Sequence, residues 1–264
     1  MGLFLFSCTS TPSKSGAMLT EPVLTATPAP NAVAAPAPAP TPAHAQNELK
    51  AAVASANLEK IRSASLDILL ANPRDTAALN ALATYYYNRN EPAAAALLLE
   101  KAIASNPNSP VAYNNLGLIA LAKNEKTAGL EMFRRAMQID AQYYPAAVNA
   151  AAVYAQEKDY NKVVFALEPA VKSGVADSAA LNNYALALGH VGKAGEAAEI
   201  YEKILQKNPD QREALLNFAI LLIEKQEKYQ PGLDLLSRLK FVGGDNESRQ
   251  VINELEVKAK AGLK

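Results

Sequence analysis

The strongest constraint on the fold is a sequence repeat that runs through most of the chain. Pro73 and Pro107 are 34 positions apart, and Pro209 stands a further 102 positions along, which is three such intervals. When blocks of this period are aligned from position 76 onward, the eighth place is small in all five: Ala83, Gly117, Ala151, Ala185 and Ala219. A unit of this length is one supersecondary element that cannot bury its apolar face alone, so neighbouring copies must stack to form a continuous core.

Each block contains two stretches in which apolar residues have helical spacing. In the first block, Leu82 and Tyr86 are four residues apart, and Ala95, Leu99 and Ala102 recur at intervals of four and three. This periodicity predicts two amphipathic helices per block. Half of all residues are hydrophobic, but only 6% are aromatic and none is tryptophan. The core must therefore be built largely from Ala and Leu.

Large and small residues recur at the same places in most blocks. Position 7 is large in four of the five blocks, position 8 is small in all five, and position 24 is large in the first four. In this the sequence resembles the tetratricopeptide repeat (TPR) family, whose pattern is a large residue at position 4, Leu at 7, small at 8, Tyr at 11, small at 20, large at 24, small at 27 and Pro at 32. The segment AYNNLGLIALAKNEKTAGLEMFRRAMQID, residues 112 to 140, fits most of that pattern. The resemblance implies an all-α fold, a right-handed solenoid of antiparallel helix pairs.

The repeat also predicts the domain organisation. We expect five repeats over residues 76–245, divided as 76–109, 110–143, 144–177, 178–211 and 212–245, the last with one inserted residue near Tyr229. A degenerate leading repeat should occupy residues 47–75. Residues 246–264 should form a capping helix, because Val251, Ile252 and Leu255 lie on one side of it and Lys and Glu elsewhere. A lipobox-like segment at 1–8 and a disordered Pro/Ala-rich linker at 9–46 would precede the solenoid.

The N-terminal sequence MGLFLFSC ends at Cys8, the only cysteine of the chain. It resembles the lipobox of bacterial lipoproteins, in which the signal peptide is cut before a cysteine that is then acylated. Only seven residues precede Cys8 and none is Lys or Arg, so we expect the natural chain to begin upstream of Met1. The Pro/Ala tract that follows favours an extended spacer. The alternative is an apolar tail with a free thiol.

Asparagine recurs with the same period in the first predicted helix, although it is a poor helix former. The fifth position of a block holds Asn80, Asn114 and Asn182, and the sixth holds Asn115, Asn149, Asn183 and Asn217. The resemblance implies that these positions face a concave groove. Two interpretations are open: a ladder of amides that binds the backbone of an extended partner segment, or hydrogen bonds between adjacent helices.

The remaining groove positions that the resemblance implies are mostly uncharged. They include Thr84, Tyr87, Leu118, His190 and Glu224. Family members that clamp acidic chaperone C-termini use Lys and Arg in the groove, and none stands at these positions here. A mostly uncharged, partly apolar groove indicates that the ligand is a neutral or partly hydrophobic extended segment of a protein partner, or another copy of the chain in a homo-oligomer.

Catalytic and cofactor motifs are absent from the sequence. The two histidines, His44 and His190, have no second His, Cys or paired acid at metal-ligand spacing. The glycines of GHVGKAG, residues 189 to 195, are too close together for a phosphate-binding loop. Lys plus Arg and Asp plus Glu are both 26, so the formal charge is zero and a nucleic-acid partner is disfavoured. We expect no enzyme activity, no cofactor and no metal.

These observations predict a non-enzymatic scaffold for protein–protein interaction. The first hypothesis is a lipoprotein anchored through Cys8, with Thr9 favouring the outer membrane and the solenoid facing the periplasm. Among cell-envelope machines we favour a gliding-motility-type complex because of the long Pro/Ala spacer. A type IV pilus pilotin, or an adaptor in outer-membrane assembly or for peptidoglycan hydrolases, is the alternative within that class. A soluble cytoplasmic adaptor or co-chaperone is the alternative outside it.

Overall fold

The computed structural model describes residues 42–174, 176–243 and 246–264, and all regular structure in these ranges is helical. Cys8 and most of the predicted linker lie outside the described residues. The helices, in chain order, are α1 (Pro42–Ala54), α2 (Leu58–Ala71), α3 (Thr76–Asn88), α4 (Pro92–Ser105), α5 (Pro110–Ala122), α6 (Lys126–Ile139), α7 (Tyr144–Gln156), α8 (Tyr160–Lys172), α9 (Ser178–His190), α10 (Ala194–Lys207), α11 (Arg212–Lys225), α12 (Tyr229–Val242) and α13 (Asn246–Gly262). The predicted all-α helical repeat is confirmed.

The same turn reverses the chain after the first helix of each pair. One residue in each turn has a positive φ between 50° and 85°, namely Ala56, Asn90, Asn124, Lys158, Gly192 and Glu227. This left-handed conformation ends a helix, and the turn then supplies hydrogen bonds to the last carbonyl groups of that helix. Successive helices therefore form hairpins in which α3 packs on α4, α5 on α6, and so on to α11 and α12.

Small residues allow the two helices of a pair to come close. A Cβ atom placed on Gly117 of α5 would lie 2.5 Å from Cε1 of Phe133, a fully buried residue of α6. Position 8 and position 24 of the block therefore interlock, as their small and large residues predict. Tyr201 and Phe218 continue the core between the fourth and fifth blocks, with ring centroids 5.5 Å apart.

The first helices line the inner surface of the solenoid. Among the described helices, α3 contacts α5, α5 contacts α7, and α9 contacts α11, whereas no two second helices approach each other as closely. Successive pairs therefore curve toward the side of the first helices. The odd-numbered helices from α3 to α11 form the concave face, and the even-numbered helices form the convex face.

The leading helix pair begins at Pro42, five residues before the expected boundary at 47. Ala56 precedes Asn90 by one repeat period, so the α1–α2 turn has the geometry of the later ones. Ala45, Leu49 and Ala52 of α1 are buried in an apolar cluster that includes residues of α2 and α3, and α1 packs on α2. Proline is well tolerated in the first turn of a helix. The Pro/Ala-rich composition therefore did not indicate that α1 begins at Pro42.

The C-terminal end of the solenoid is covered by α13. Ile252, Leu255 and Ala259 are buried against Leu236 and Leu239 of α12 and against residues of α11. The fifth block has one extra residue before α12, which begins at the eighteenth position of its block where the other second helices begin at the seventeenth.

Candidate functional site

Two pairs of asparagines join neighbouring first helices across the concave face. Nδ2 of Asn149 in α7 donates to Oδ1 of Asn114 in α5 over 2.8 Å, and Nδ2 of Asn217 in α11 donates to Oδ1 of Asn182 in α9 over 3.2 Å. Each bond links the sixth position of one block with the fifth position of the block before it. These four amides therefore have the helix-bridging role, which is one of the two interpretations of the asparagine row.

Asn115 and Asn183 occupy the same sixth position but form no such bridge. The residue 35 positions before Asn183 is Val148, which has no acceptor in its side chain. Among the described residues, α7 and α9 also approach less closely than the other neighbouring first helices from α3 onward. Oδ1 of Asn115 accepts from Nδ2 of Asn114 over 3.3 Å. The Nδ2 donors of Asn115 and Asn183 have no hydrogen-bond partner within the described part of the chain.

Asn80 begins the row and is satisfied only in part. Its Nδ2 donates to the carbonyl oxygen of Thr76 over 2.8 Å, while its Oδ1 is buried without a hydrogen-bond partner among the described residues. The residue is 8% exposed. The amide of Asn80 is therefore bonded within α3 and is little exposed to the open groove.

The α3–α5 pocket lies on the concave face near the N-terminal end of the repeats. It has a volume of about 100 Å³. It brings together four predicted residues, Thr84, Tyr87, Asn115 and Leu118, with Ala83, Leu99 and Ile119 as further lining. Tyr87 is 41% and Leu118 37% exposed. The pocket is mainly apolar and has one unbridged amide at its edge.

The α9–α11 pocket lies near the other end of the groove and has a volume of about 80 Å³. Three predicted residues, His190, Asn217 and Glu224, line it. Its other lining residues are Ala185, Leu186, Gly189, Tyr201, Ile220, Leu221 and Lys225. Tyr201 stands at the twenty-fourth position of its block, where the repeat predicts a large packing residue, so its place beside this pocket was not predicted.

Glu224 and His190, two residues of the α9–α11 pocket, each contact a side chain from outside the pocket. Oε1 of Glu224 accepts from Nζ of Lys258 in α13 over 3.2 Å. His190 stacks on Tyr160 with ring centroids 3.9 Å apart and planes 6° apart. Burial, and then the charge of Lys225, lowers the pKa of His190 below its ordinary value, while Glu224 acts in the opposite direction. The imidazole is therefore neutral at neutral pH.

The part of the chain that the structure describes contains no group of three or more His, Cys, Asp or Glu residues placed to hold a metal ion. None of its helices has the length and apolar character needed to cross a bilayer. The two pockets are lined mostly by amides, aromatic rings and apolar side chains, with the charged Glu224 and Lys225 at the α9–α11 pocket. Such a surface can bind a polypeptide through hydrogen bonds and apolar contacts.

The fold and the groove define a helical-repeat scaffold of the protein-interaction class. The family model described as tetratricopeptide repeat matches residues 42–110 and 80–144. The two matches overlap and together cover residues 42–144, where the helix pairs have the tetratricopeptide repeat fold, a fold that in general binds other proteins.

Solved structures share this fold at low sequence identity. YrrB, described as a TPR protein with an unusual peptide-binding site, is 18% identical with a TM-score of 0.60, covering 75% of this chain and 97% of its own. PilF of Pseudomonas aeruginosa is 23% identical with a TM-score of 0.57, covering 71% and 88%. MamA from Desulfovibrio magneticus RS-1 is 14% identical with a TM-score of 0.54, covering 63% and 94%.

One curated relative is described as an uncharacterized lipoprotein of Treponema pallidum (strain Nichols). It is 25% identical over 130 residues, which are 49% of this chain. The match spans 66% of that relative, slightly less than two thirds of its length.

Proposed function

We propose that the chain is a non-enzymatic scaffold that binds an extended segment of a partner protein along its concave face. The observation that carries this proposal is the pair of unbridged amides, Asn115 and Asn183. Asn149 and Asn217 stand at the same position of their blocks and donate to a neighbouring helix. Asn115 and Asn183 keep Nδ2 donors that a backbone carbonyl of a bound chain would satisfy.

The spacing of the two amides suits an extended ligand. They are separated by two repeat periods, so one block lies between theirs. If neighbouring first helices are about 8 to 10 Å apart, the amides are separated by roughly 16 to 20 Å. At about 3.3 Å per residue, this distance corresponds to five or six residues of extended chain.

The two pockets add side-chain selectivity to this backbone contact. Tyr87 and Leu118 offer apolar surface at the α3–α5 pocket. At the α9–α11 pocket the carboxylate of Glu224 is already paired with Lys258. The groove therefore favours a neutral, partly hydrophobic segment over a strongly charged one.

The membrane part of the proposal is a lipid anchor on Cys8, with the solenoid facing the periplasm from the outer membrane. The lipobox-like sequence and the lipoprotein among the relatives support it. The long Pro/Ala tract would hold the repeats away from the membrane, and for this reason we favour a gliding-motility-type complex among envelope machines.

Crosslinking pulldown from cells tests the groove. The double variant Asn115→Ala/Asn183→Ala should lose the partner that the unmodified chain captures, and its melting temperature should fall by no more than loss of the hydrogen bond from Asn114 to Asn115 explains. Asn253→Ala, a change of the same kind on the exposed face of α13, is the matched control and should capture the partner normally. Retention of every partner at equal affinity by the double variant would contradict the proposal.

Intact mass spectrometry tests the anchor. Protein extracted from membranes should carry a diacyl or triacyl addition that is absent from Cys8→Ala, and the variant should leave the membrane fraction. An unmodified chain in the soluble fraction would contradict the anchor and leave the groove proposal standing.

A further inference from the structure

We infer that the α3–α5 pocket binds a tail segment of this same chain, and that a partner protein must displace the tail segment to use the groove at this pocket. The tail segment is residues 18–24, MLTEPVL, which lie outside the described residues. Displacement by a partner rests on the proposed function, because it requires that the partner uses the same groove. Occupancy of the pocket by the tail segment does not rest on it.

The lining of the α3–α5 pocket is apolar and partly exposed. Leu99 of α4 and Ile119 of α5 are almost fully buried, whereas Tyr87 of α3 and Leu118 of α5 are exposed. The pocket volume of about 100 Å³ is comparable with the roughly 150 Å³ of an apolar cavity that binds benzene. The pocket therefore has room for one aliphatic side chain of the size of leucine.

The polar groups at this pocket suit a peptide backbone better than a charged side chain. None of its seven lining residues is charged. Oγ1 of Thr84 already donates to the carbonyl oxygen of Asn80 over 3.1 Å. Nδ2 of Asn115 has no partner among the described residues and can donate to a backbone carbonyl of an extended segment. The occupant should therefore be an extended segment with an aliphatic side chain at the pocket.

The sequence before α1 contains a segment of this kind. Residues 9–41 include five aliphatic side chains larger than alanine, and four of these fall within seven positions, namely Met18, Leu19, Val23 and Leu24. Glu21 is the only charged residue from position 15 to position 41. Aliphatic side chains gain free energy when they are buried, and a solvated spacer has no need of them. The cluster therefore indicates a segment that packs against an apolar surface.

Pro22 stands between the two aliphatic pairs of the tail segment. Proline fixes φ and favours the extended polyproline II conformation. Less conformational entropy is then lost on binding, and extended proline-containing segments dock in grooves lined by aromatic side chains. Tyr87 supplies an exposed aromatic ring at the pocket.

The tether is long enough for binding within one molecule. Residues 25–41 join the tail segment to Pro42, where α1 begins. At about 3.1 Å per residue, they reach roughly 50 Å. The next two first helices, α3 and α5, lie about 8 to 10 Å further on each, and a helix of 13 residues such as α1 is about 20 Å long. The pocket is therefore within about 40 Å of Pro42 and inside the reach of the tether.

Tethering makes a modest affinity sufficient. A linked segment has an effective concentration on the order of 1 mM at its site. A tail segment with a Kd near that value would already fill half of the pockets. A partner must therefore bind more tightly than the tail segment to enter the groove at α3 and α5.

Site-specific photocrosslinking on the full chain tests the inference. Benzoylphenylalanine in place of Thr25 leaves the aliphatic side chains of the tail segment intact and reports what lies beside them. Crosslinks should concentrate in α3 and α5, and the variant Leu19→Ser/Leu24→Ser should lose them and capture more of the partner in the pulldown. Both changed residues precede α1, so the helix pairs should still fold, and circular dichroism checks this.

Two controls keep the outcomes distinct. The same crosslinker in place of Ala34, beside the isolated Val33, should show no preference for α3 and α5. An isotope-labelled copy without the crosslinker, mixed with the first protein, separates contacts within one chain from contacts between copies. Crosslinks to the labelled copy, an equal preference from Ala34, or crosslinks scattered over the helices would each overturn the inference.

The tail segment and the proposed function can fail separately. Absence of crosslinks from Thr25 to α3 and α5, with partner capture that still depends on Asn115 and Asn183, would overturn the inference and leave the proposed function standing. Crosslinks within one chain, with every partner retained by Asn115→Ala/Asn183→Ala, would support the tail segment and contradict the proposed function. Crosslinks within one chain without any gain in capture by Leu19→Ser/Leu24→Ser would overturn the displacement.

Discussion

Asn149 donates a 2.8 Å hydrogen bond from Nδ2 to Oδ1 of Asn114, and this bond ties α7 to α5 across 35 residues of sequence. Asn217 and Asn182 repeat the same relationship between α11 and α9. The helix-weakening amides thus stabilise the stacking of repeats in two places. At Asn115 and Asn183 the corresponding donors remain available to a ligand.

The bridging amides should contribute to stability. Asn149→Ala removes the donor and leaves the buried Oδ1 of Asn114 without a strong partner, so the free energy of unfolding should fall by about 1 to 3 kcal/mol. Urea denaturation of the purified repeat protein measures this change. The double variant Asn114→Ala/Asn149→Ala should lose less than the sum of the single variants, because the two side chains interact directly.

Asn183→Ala is the matched control for this prediction. It changes the same position of the next block, where Val148 takes the place of the partner amide. Its free energy of unfolding should change by less than about 0.5 kcal/mol. Equal losses from Asn149→Ala and Asn183→Ala would show that the observed bridges do not determine stability.

The sequence predicts the helix pairs and their register but not the hydrogen-bond partner of each asparagine. The repeat period and the small residue opposite Phe133 were sufficient to predict paired helices in register. The residue 35 positions before a sixth-position asparagine is Asn114 for Asn149, Asn80 for Asn115 and Val148 for Asn183, and of these three only Asn114 accepts a hydrogen bond from its sixth-position asparagine. That offset is set by how far one first helix slides along the next, and periodicity within a block does not contain it.

The residues that line the two pockets could likewise be predicted from the sequence only in part. Thr84, Tyr87 and Leu118 were assigned to the groove because the resemblance to the TPR family implies that their positions face it, and the structure brings them together at one pocket. Tyr201 comes from a second helix, and its position in the block gave only a packing role. Its place beside the α9–α11 pocket depends on how α10 packs against α9 and α11, which periodicity within one block does not contain.

Gly117 should be required for the close approach of α5 and α6. In Gly117→Ala the new Cβ would lie 2.5 Å from Cε1 of the fully buried Phe133, so overpacking should cost about 1 to 3 kcal/mol. The better helix propensity of Ala offsets up to about 1 kcal/mol of this loss. Thermal or urea denaturation measures the net effect, which should be destabilising.

Gly195→Ala provides the comparison for this position. Gly195 also lies in a helix, but nothing is within 4 Å of the place its Cβ would take. This variant should be neutral or more stable by up to about 1 kcal/mol. A Gly117→Ala protein as stable as Gly195→Ala would mean that Phe133 moves aside freely, contrary to the interlocking of positions 8 and 24.

The capping helix should stabilise the last repeat through its buried face. Ile252 is 1% exposed and packs with residues of α11 and α12, so Ile252→Ala should cost about 2 to 5 kcal/mol. Val257 lies on the same helix and is 71% exposed, so Val257→Ala should change stability by less than about 0.5 kcal/mol. Hydrogen exchange should show the Ile252→Ala loss first in α11 and α12, because each repeat is stabilised mainly by its neighbours. Equal stability of the two variants would exclude a capping role for α13.

His190 should make stability depend on pH in a defined direction. Its pKa in the folded chain is lowered from 6.5, first by burial and then by Lys225, against the opposing effect of Glu224. Between the lowered pKa and 6.5 the unfolded chain binds more protons than the folded chain, so stability rises with pH in this window. The destabilisation therefore sets in as the pH falls below the ordinary value and is complete below the folded-state pKa.

Urea midpoints measured at about pH 7.5 and about pH 5.5, on either side of the ordinary histidine range, test this sign. The unmodified chain should lose more stability on acidification than His190→Gln, which cannot titrate. The exposed His44 on α1 is present in both proteins and cancels in the comparison. Because His190 is only half-buried, solvent should keep the difference small. A smaller acid loss in the unmodified chain than in His190→Gln would mean that the charge of Glu224 outweighs burial at this imidazole, and that the protonated form is the one that the groove stabilises.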